Sequence, residues 1–149
     1  MGAAETSTGR CLCGAVQFEL SAPPVMTLAC HCTGCRRLTG SAYSVTGVYA
    51  KSAFAVTEGE TVIGALHGEV RHHYCDRCKS WLFTQPPGAE VVNVRTTMLD
   101  DPPAAPPFVE IYTSRAFAWA LIGAPHSYEE FPSPEAFPQL AAEFGARGD

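Results

Sequence analysis

Seven cysteines in a chain of 149 residues fall into three tight clusters, and they constrain the fold more than any hydrophobic pattern does. The clusters read Cys11-Leu12-Cys13-Gly14, Cys30-His31-Cys32-Thr33-Gly34-Cys35 and Cys75-Asp76-Arg77-Cys78. In an extended segment residues i and i+2 face the same side, so Cys11 and Cys13 can address one ion while Leu12 faces away. A Cys-x-x-Cys pair instead folds into a knuckle that converges two sulfurs, and Cys75 and Cys78 have that spacing. The middle cluster combines both patterns and can chelate one ion locally. Two closed tetrahedral zinc sites would need more ligands than seven; one position is left open, as in a reactive rather than a structural zinc site. The simplest division gives Cys30, Cys32 and Cys35 to one ion and Cys11, Cys13, Cys75 and Cys78 to the other. Spacing also allows Cys11 and Cys13 to pair with part of the middle cluster.

Each cluster alone has a plainer reading, as buried thiols or a redox pair, although no thioredoxin-like pattern surrounds Cys75 and Cys78. Context favours metal. The N-terminal MGAAETSTGR lacks the basic-then-apolar pattern of a signal peptide, though Gly2 and Thr6 fit a loose myristoylation pattern. The run Ala116 to Gly123 is too short to span a bilayer. The chain is therefore expected in the cytoplasm, where thiols stay reduced. A net charge of -5 argues against nucleic acid or an anionic membrane as partner.

With 46% hydrophobic residues, the chain is long enough for one real core. Its 13 glycines and 12 prolines favour short strands and many turns. Residues 1–8 are expected to be a flexible N-terminus and residues 9–149 a single zinc-binding β domain. Strand-like runs are Ala15 to Leu20, Ala42 to Tyr49, Ala53 to Thr57, Thr61 to Leu66, Glu90 to Thr97 and Phe108 to Thr113, while Gly68 to Tyr74 leads into the third cysteine cluster and Trp81 to Thr84 leads out of it. Glu58-Gly59-Glu60 reads as a turn. Asp100 to Pro107 reads as an extended loop, because its prolines fix φ and remove donors. Ser133-Pro134 resembles a helix start, with a helix through Glu135 to Phe144 that Pro138 should break or kink. Together these runs predict a mostly antiparallel β domain with one short helix.

His31 should point away from its cysteine neighbours, whereas His72 and His73 are more credible as an extra ligand. Arg36 and Arg37 follow the middle cluster directly, where they could pair with substrate carboxylates or form a solvated charge pair. Thr33, Thr39 and Ser41 could hydrogen-bond substrate or sulfur. Trp81, Phe83 and Trp119 read as core or pocket wall.

The cysteine clusters with their neighbours, together with Gly40-Ser41, Leu99-Asp100-Asp101-Pro102 and the aromatic stretch around Trp119, resemble the glutathione-dependent formaldehyde-activating enzyme family, which also includes the centromere protein V domain. The resemblance runs from about Gly9 to Pro134. It implies a mainly β fold, a β-tent of antiparallel sheets with two zinc ions and here a short C-terminal helix. It also implies a four-cysteine structural site (Cys11, Cys13, Cys75, Cys78) and a catalytic three-cysteine site (Cys30, Cys32, Cys35). The implied activity is carbon-sulfur lyase chemistry, which joins glutathione and formaldehyde as S-hydroxymethylglutathione. The chain departs from the pattern at Lys79, where glycine is usual and where φ > 0 would carry a cost for lysine. Lys79 could instead offset the charge of the four thiolates.

A zinc held by three thiolates is a weak Lewis acid, so generating hydroxide suits it less than holding an incoming thiol as a thiolate for addition to an aldehyde. Two other readings compete: a non-catalytic zinc-binding module for protein interaction, with the second zinc covered or closed by His72 or His73, and a thiol or zinc sensor.

Overall fold

In a computed structural model of the chain, residues 6–64 and 67–147 are described. The expectations for residues 1–5, including Gly2, and for the strand end at Ala65 and Leu66 lie outside the described residues. The chain forms two compact units, one of Met1–Pro24 and Val48–Pro102, the other of Val25–Gly47 and Pro103–Asp149.

In the first unit β1 (Ser7–Arg10) pairs antiparallel with β2 (Gln17–Leu20). It thus begins two residues before the Gly9 boundary drawn from sequence. The β2 stretch behaves as its alternation predicts: Val16, Phe18 and Leu20 are buried and Glu19 is exposed. The second unit contributes β3 (Met26–Cys30) and α1 (Thr33–Thr39). Strand β4 (Ser44–Ala50) then carries the chain back, and β5 (Phe54–Glu58) pairs antiparallel with β2. Gly59 turns the chain at φ 74°. An antiparallel series follows: β6 (Thr61–Ile63), β7 (Arg71–Cys75), β8 (Trp81–Gln85) and β9 (Val91–Val94). The core of this unit gathers Phe18, Leu20, Tyr49, Leu82, Phe83, Val92 and Val94 around Cys11 and Cys75. Cys11 and Cys75 therefore anchor the four-cysteine cluster in packed apolar side chains, while Cys13 and Cys78 lie in turns.

The Pro-rich stretch after Leu99 forms no regular element, and β10 (Val109–Ile111) and β11 (His126–Ser127) follow. Both pairings of β10 are parallel, to β3 and to β11. The fold is thus mainly β as expected, but mixed where the sequence predicts antiparallel pairing alone. Helix α2 (Ala136–Ala146) buries Leu140 and Phe144, and Phe144 meets Phe108 edge-on. Pro138 does not break it. The helix begins at Ala136, so Pro138 lies in the first turn, where backbone N–H groups have no intrahelical acceptor to lose.

Helix α1 and strands β1, β3 and β11 are absent from the sequence reading. Strand β3 is buried along four consecutive residues, so no alternation marks it. Helix α1 has only 7 residues and includes Gly34 and two threonines. Its N-cap is a cysteine, whose sulfur accepts from the Cys35 N–H where an oxygen is the usual signal.

Candidate functional site

In the first unit four thiols converge. Cys11 follows β1, Cys75 ends β7, and Cys78 lies in the turn before β8. Sulfur–sulfur separations are 3.7 Å for Cys11–Cys13 and 3.8 Å for Cys13–Cys75. The ligand atoms of all four cysteines lie within 4.8 Å of one another. Four sulfurs at about 2.3 Å from a tetrahedral zinc are about 3.8 Å apart, so these residues fit that ion. The backbone orients them: the Val16 N–H donates to Cys11 Sγ at 3.3 Å and the Cys78 N–H to Cys75 Sγ at 3.5 Å. Ser80 links the two segments that carry the group, its Oγ accepting from the Leu12 N–H and lying 3.2 Å from Cys78 Sγ.

Lys79 adopts φ 63°, so the position requires the left-handed backbone that the departure from glycine implied. Its N–H closes the turn onto the Cys75 carbonyl at 2.8 Å. Its ammonium bonds Asp76 at 2.7 Å.

In the second unit Cys30 ends β3, Cys32 caps α1, and Cys35 lies in its first turn. The three thiols again lie within 4.8 Å of one another. Among the described residues no histidine or carboxylate joins either group. The expected knuckle is realised as a helix start, with the Cys35 N–H donating to Cys32 Sγ at 3.2 Å. Packing three thiols this closely penalises ionisation without a cation: hydrogen bonding within the trio, first from Cys32 and then from Cys35, pushes the Cys30 thiol up, and burial adds to it. At the four-cysteine group burial works against ionisation of Cys78, yet hydrogen bonds from Ser80 and from the backbone bring it down to about 5. Donor chemistry and spacing at both groups suit a soft divalent ion, and these seven cysteines could hold two.

His31 is fully buried and does not join its cysteine neighbours. Its Nε2 lies 2.8 Å from Glu110 Oε2, and its ring is 5.0 Å from that of Tyr43. The Glu110 carboxylate also accepts from the Ile122 and Ala124 N–H groups, at 3.0 and 3.1 Å. His72 bonds Thr84 and His67, and His73 bonds Thr61 while stacking on Phe83.

Arg36 lies on α1 immediately after Cys35 and places its guanidinium 4.8 Å from the centre of the Phe117 ring. Arg37 is exposed. Trp81 and Phe83 are core, but Trp119 is 79% exposed. It stacks on Phe117 and borders a cavity of about 490 Å³ whose other walls include Ser41, Ala42 and Tyr43. Thr39 is spent on the Cys35 carbonyl, to which its hydroxyl donates at 2.8 Å.

Glu110 and Tyr112, which flank the residue paired with Cys30, escape the sequence reading. No local motif marks them, because β10 reaches β3 only through a parallel register that pairs Ile111 with Cys30.

The comparisons with known proteins agree. The sequence model of the glutathione-dependent formaldehyde-activating enzyme family matches residues 6–115. A protein of Halomonas elongata, provisionally named a glutathione-dependent formaldehyde-activating enzyme, is 30% identical over 130 residues, covering 76% of this chain and 79% of its own. A crystal structure of a Rhodobacter sphaeroides protein shares the fold at a TM-score of 0.50 and 20% identity, over 62% of this chain and 87% of that one. The converging thiols, the mainly β fold and these matches lead to one conclusion: the chain belongs to the glutathione-dependent formaldehyde-activating enzyme family.

Proposed function

We propose that this protein is a zinc-dependent enzyme of carbon-sulfur lyase type, active in the cytoplasm. It condenses a small thiol, glutathione, with formaldehyde or another small carbonyl compound to give an S-hydroxymethyl adduct. The observation that carries this reading is the group of Cys30, Cys32 and Cys35, three converging thiols with no fourth ligand among the described residues. The Halomonas elongata relative's name supports the same reaction.

Cys11, Cys13, Cys75 and Cys78 would hold one zinc, fully enclosed by protein ligands. Cys30, Cys32 and Cys35 would hold the second. When bound there, zinc supplies a position at which an incoming thiol loses its proton and is held as a nucleophile. The chain's own residues do the rest. The Cys35 N–H fixes Cys32 Sγ, and the Glu110–His31 pair holds the segment between Cys30 and Cys32 in one orientation. Arg36, braced against Phe117, and the exposed Arg37 would receive substrate carboxylates. Hydrogen bonds to Thr84 and His67 occupy both ring nitrogens of His72, and among the described residues no histidine joins the second group, which argues against a histidine closing that site.

The test uses one sample. Zinc per chain is counted, and the formaldehyde–glutathione exchange rate is measured by NMR with the spontaneous rate subtracted. Two zincs with faster exchange support the reading. Two zincs with no acceleration defeat the activity and leave the family assignment standing.

A further inference from the structure

The cavity of about 490 Å³ in the second unit has no part in the reaction proposed above. Ser41, Ala42 and Tyr43, just past α1, form one wall, and Trp119, Ala120, Leu121 and Ile122 form the other. Its size falls in the range of about 300–1,000 Å³ that takes drug-sized organic ligands. A one-carbon aldehyde, not much larger than the ~30 Å³ share of a water molecule, would leave it almost empty. Among the described residues no charged side chain lines it; the polar side-chain groups are the hydroxyls of Ser41 and Tyr43 and the Trp119 indole. The space therefore suits a largely apolar, uncharged ligand.

Trp119 gives that ligand its shape. Its side chain is 79% exposed, and Phe117 and Leu121 beside it are 39% and 49% exposed, so the apolar surface is a patch and not a single side chain. The indole is nevertheless fixed. It stacks on Phe117 with ring centres 5.3 Å apart and planes 5° from parallel, and the Arg36 guanidinium braces Phe117 in turn. The Ala120 N–H closes the turn beneath it onto the Phe117 carbonyl at 2.9 Å. With Phe117 at one face and most of its surface exposed, the indole offers a flat, held surface to a second ring.

Both walls of the cavity reach His31, the residue between Cys30 and Cys32. The Tyr43 ring is 5.0 Å from the His31 ring. Glu110 Oε2 joins the other wall to the same residue, accepting from the Ile122 N–H at 3.0 Å and meeting His31 Nε2 at 2.8 Å. One layer of side chains thus separates the cavity from the segment that carries two of the three thiols.

We propose that this cavity binds the flat aromatic ring of a small uncharged molecule, stacked on Trp119. The ring belongs either to a carbonyl substrate larger than formaldehyde or to a separate aromatic compound; the recognition is the same, and the experiment separates the two. Only the substrate case rests on the carbon-sulfur reading.

The probe is benzyl alcohol, titrated at millimolar concentration into the zinc-loaded protein and followed by proton–nitrogen correlation NMR. The chain has two tryptophans. Trp81, whose indole N–H donates to Thr84 Oγ1 inside the first unit, is the internal control. The expected result is a saturable shift of the Trp119 indole and of the Leu121 and Ile122 amides, with the Trp81 indole unmoved. Read at those two amides, Trp119→Ala should weaken binding by about 10-fold, and Ala42→Leu, which fills the cavity, by at least as much, with zinc content and the Trp81 signal unchanged. No saturable shift, or unchanged affinity in both variants, overturns the site. Equal affinity for cyclohexylmethanol, which is apolar but not flat, overturns the aromatic assignment. A second arm follows benzaldehyde–glutathione exchange, in which sulfur bonds the carbonyl carbon and the thiol proton ends on the carbonyl oxygen. Acceleration that falls about 10-fold in Trp119→Ala supports the site and identifies the ring as the substrate's own. Acceleration that is absent or unchanged in Trp119→Ala, with benzyl alcohol still bound by wild type, supports the site and identifies a separate aromatic ligand. No acceleration of formaldehyde exchange defeats the carbon-sulfur reading and leaves the aromatic site standing.

Discussion

Replacing Glu110 by alanine should destabilise the protein by about 3–5 kcal/mol, because it removes a buried carboxylate from three donors that are left without their acceptor. The structure supports the upper part of the usual mutational range. The Glu110 side chain is 3% exposed and His31 is 0% exposed, so water cannot replace what is lost. The carboxylate is the acceptor for three groups: His31 Nε2 at 2.8 Å, the Ile122 N–H at 3.0 Å and the Ala124 N–H at 3.1 Å. His31 Nδ1 already has no hydrogen-bond partner, so the ring would lose its remaining anchor. For a chain of this size such a loss lowers the thermal midpoint by roughly 6–20 °C. Glu110→Gln, which keeps shape and part of the bonding, should fall between the two.

Differential scanning fluorimetry of zinc-loaded proteins measures the midpoint, and amide hydrogen exchange at Ile122 and Ala124 locates the damage. The sign with pH follows from the carboxyl group. Burial opposes its ionisation, but the two N–H groups and then His31 hold it below its ordinary value of 4.5. The charged bonds are therefore fully present above about pH 4.5 and are lost as pH falls through the lower folded value. The gap between wild type and Glu110→Gln should be constant from neutral pH to about 5 and narrow below that, with metal loss common to both proteins cancelling in the difference. A Glu110→Ala midpoint within 2 °C of wild type, on the order of 1 kcal/mol or less, would refute the argument that this pair is structurally costly to break.

Further outcomes follow from the two thiol groups and their turns. Lys79→Gly should stabilise by about 0.5–1 kcal/mol in urea unfolding, because relief of a left-handed lysine exceeds the added backbone entropy of glycine; the Asp76 contact is exposed and contributes little. Gly59→Ala should cost about 1–3 kcal/mol in the same assay, since φ is 74° and a methyl group there would overlap the Ala15 carbonyl oxygen. Cys32→Ser should leave one zinc per chain and a folded protein by circular dichroism, whereas Cys75→Ser should lose the other zinc and the cooperative unfolding transition with it. Acidification should release both metals, as protons compete with the ion for the thiolates; zinc-responsive dye release against pH measures this.

What the sequence makes legible is local. The thiol groups can be read from spacing because each ligand pair is fixed by one or two intervening residues. Strand β2 can be read because Val16, Phe18 and Leu20 alternate with exposed or half-buried neighbours. Strand β3 hides because both its faces are covered, and α1 because a short helix capped by sulfur lacks the usual signals. The parallel pairing of β10 with β3 also hides. It joins residues such as His31 and Glu110 that lie 79 positions apart, and no turn dictates its register. Glu110 and Tyr112 are consequences of that pairing, so the surroundings of Cys30 are only half visible in the sequence.

The two thiol groups also differ in what a bound metal would do for the chain. Joining Cys13 to Cys75 closes a loop spanning 62 positions, which removes about 4 kcal/mol of unfolded-chain entropy if a bridge through metal acts as a cross-link. Cys30 to Cys35 spans one helix start, and the same relation gives only about 2 kcal/mol. Moreover, Cys11 and Cys75 lie inside the apolar core, so losing metal there leaves buried thiols facing one another in the middle of Phe18, Leu82 and Val94. The local trio can gain, lose or share a ligand with little consequence for packing. Under the proposed function, that partition would leave one metal on which the fold depends and one whose coordination could change while β3 and α1 stay in place.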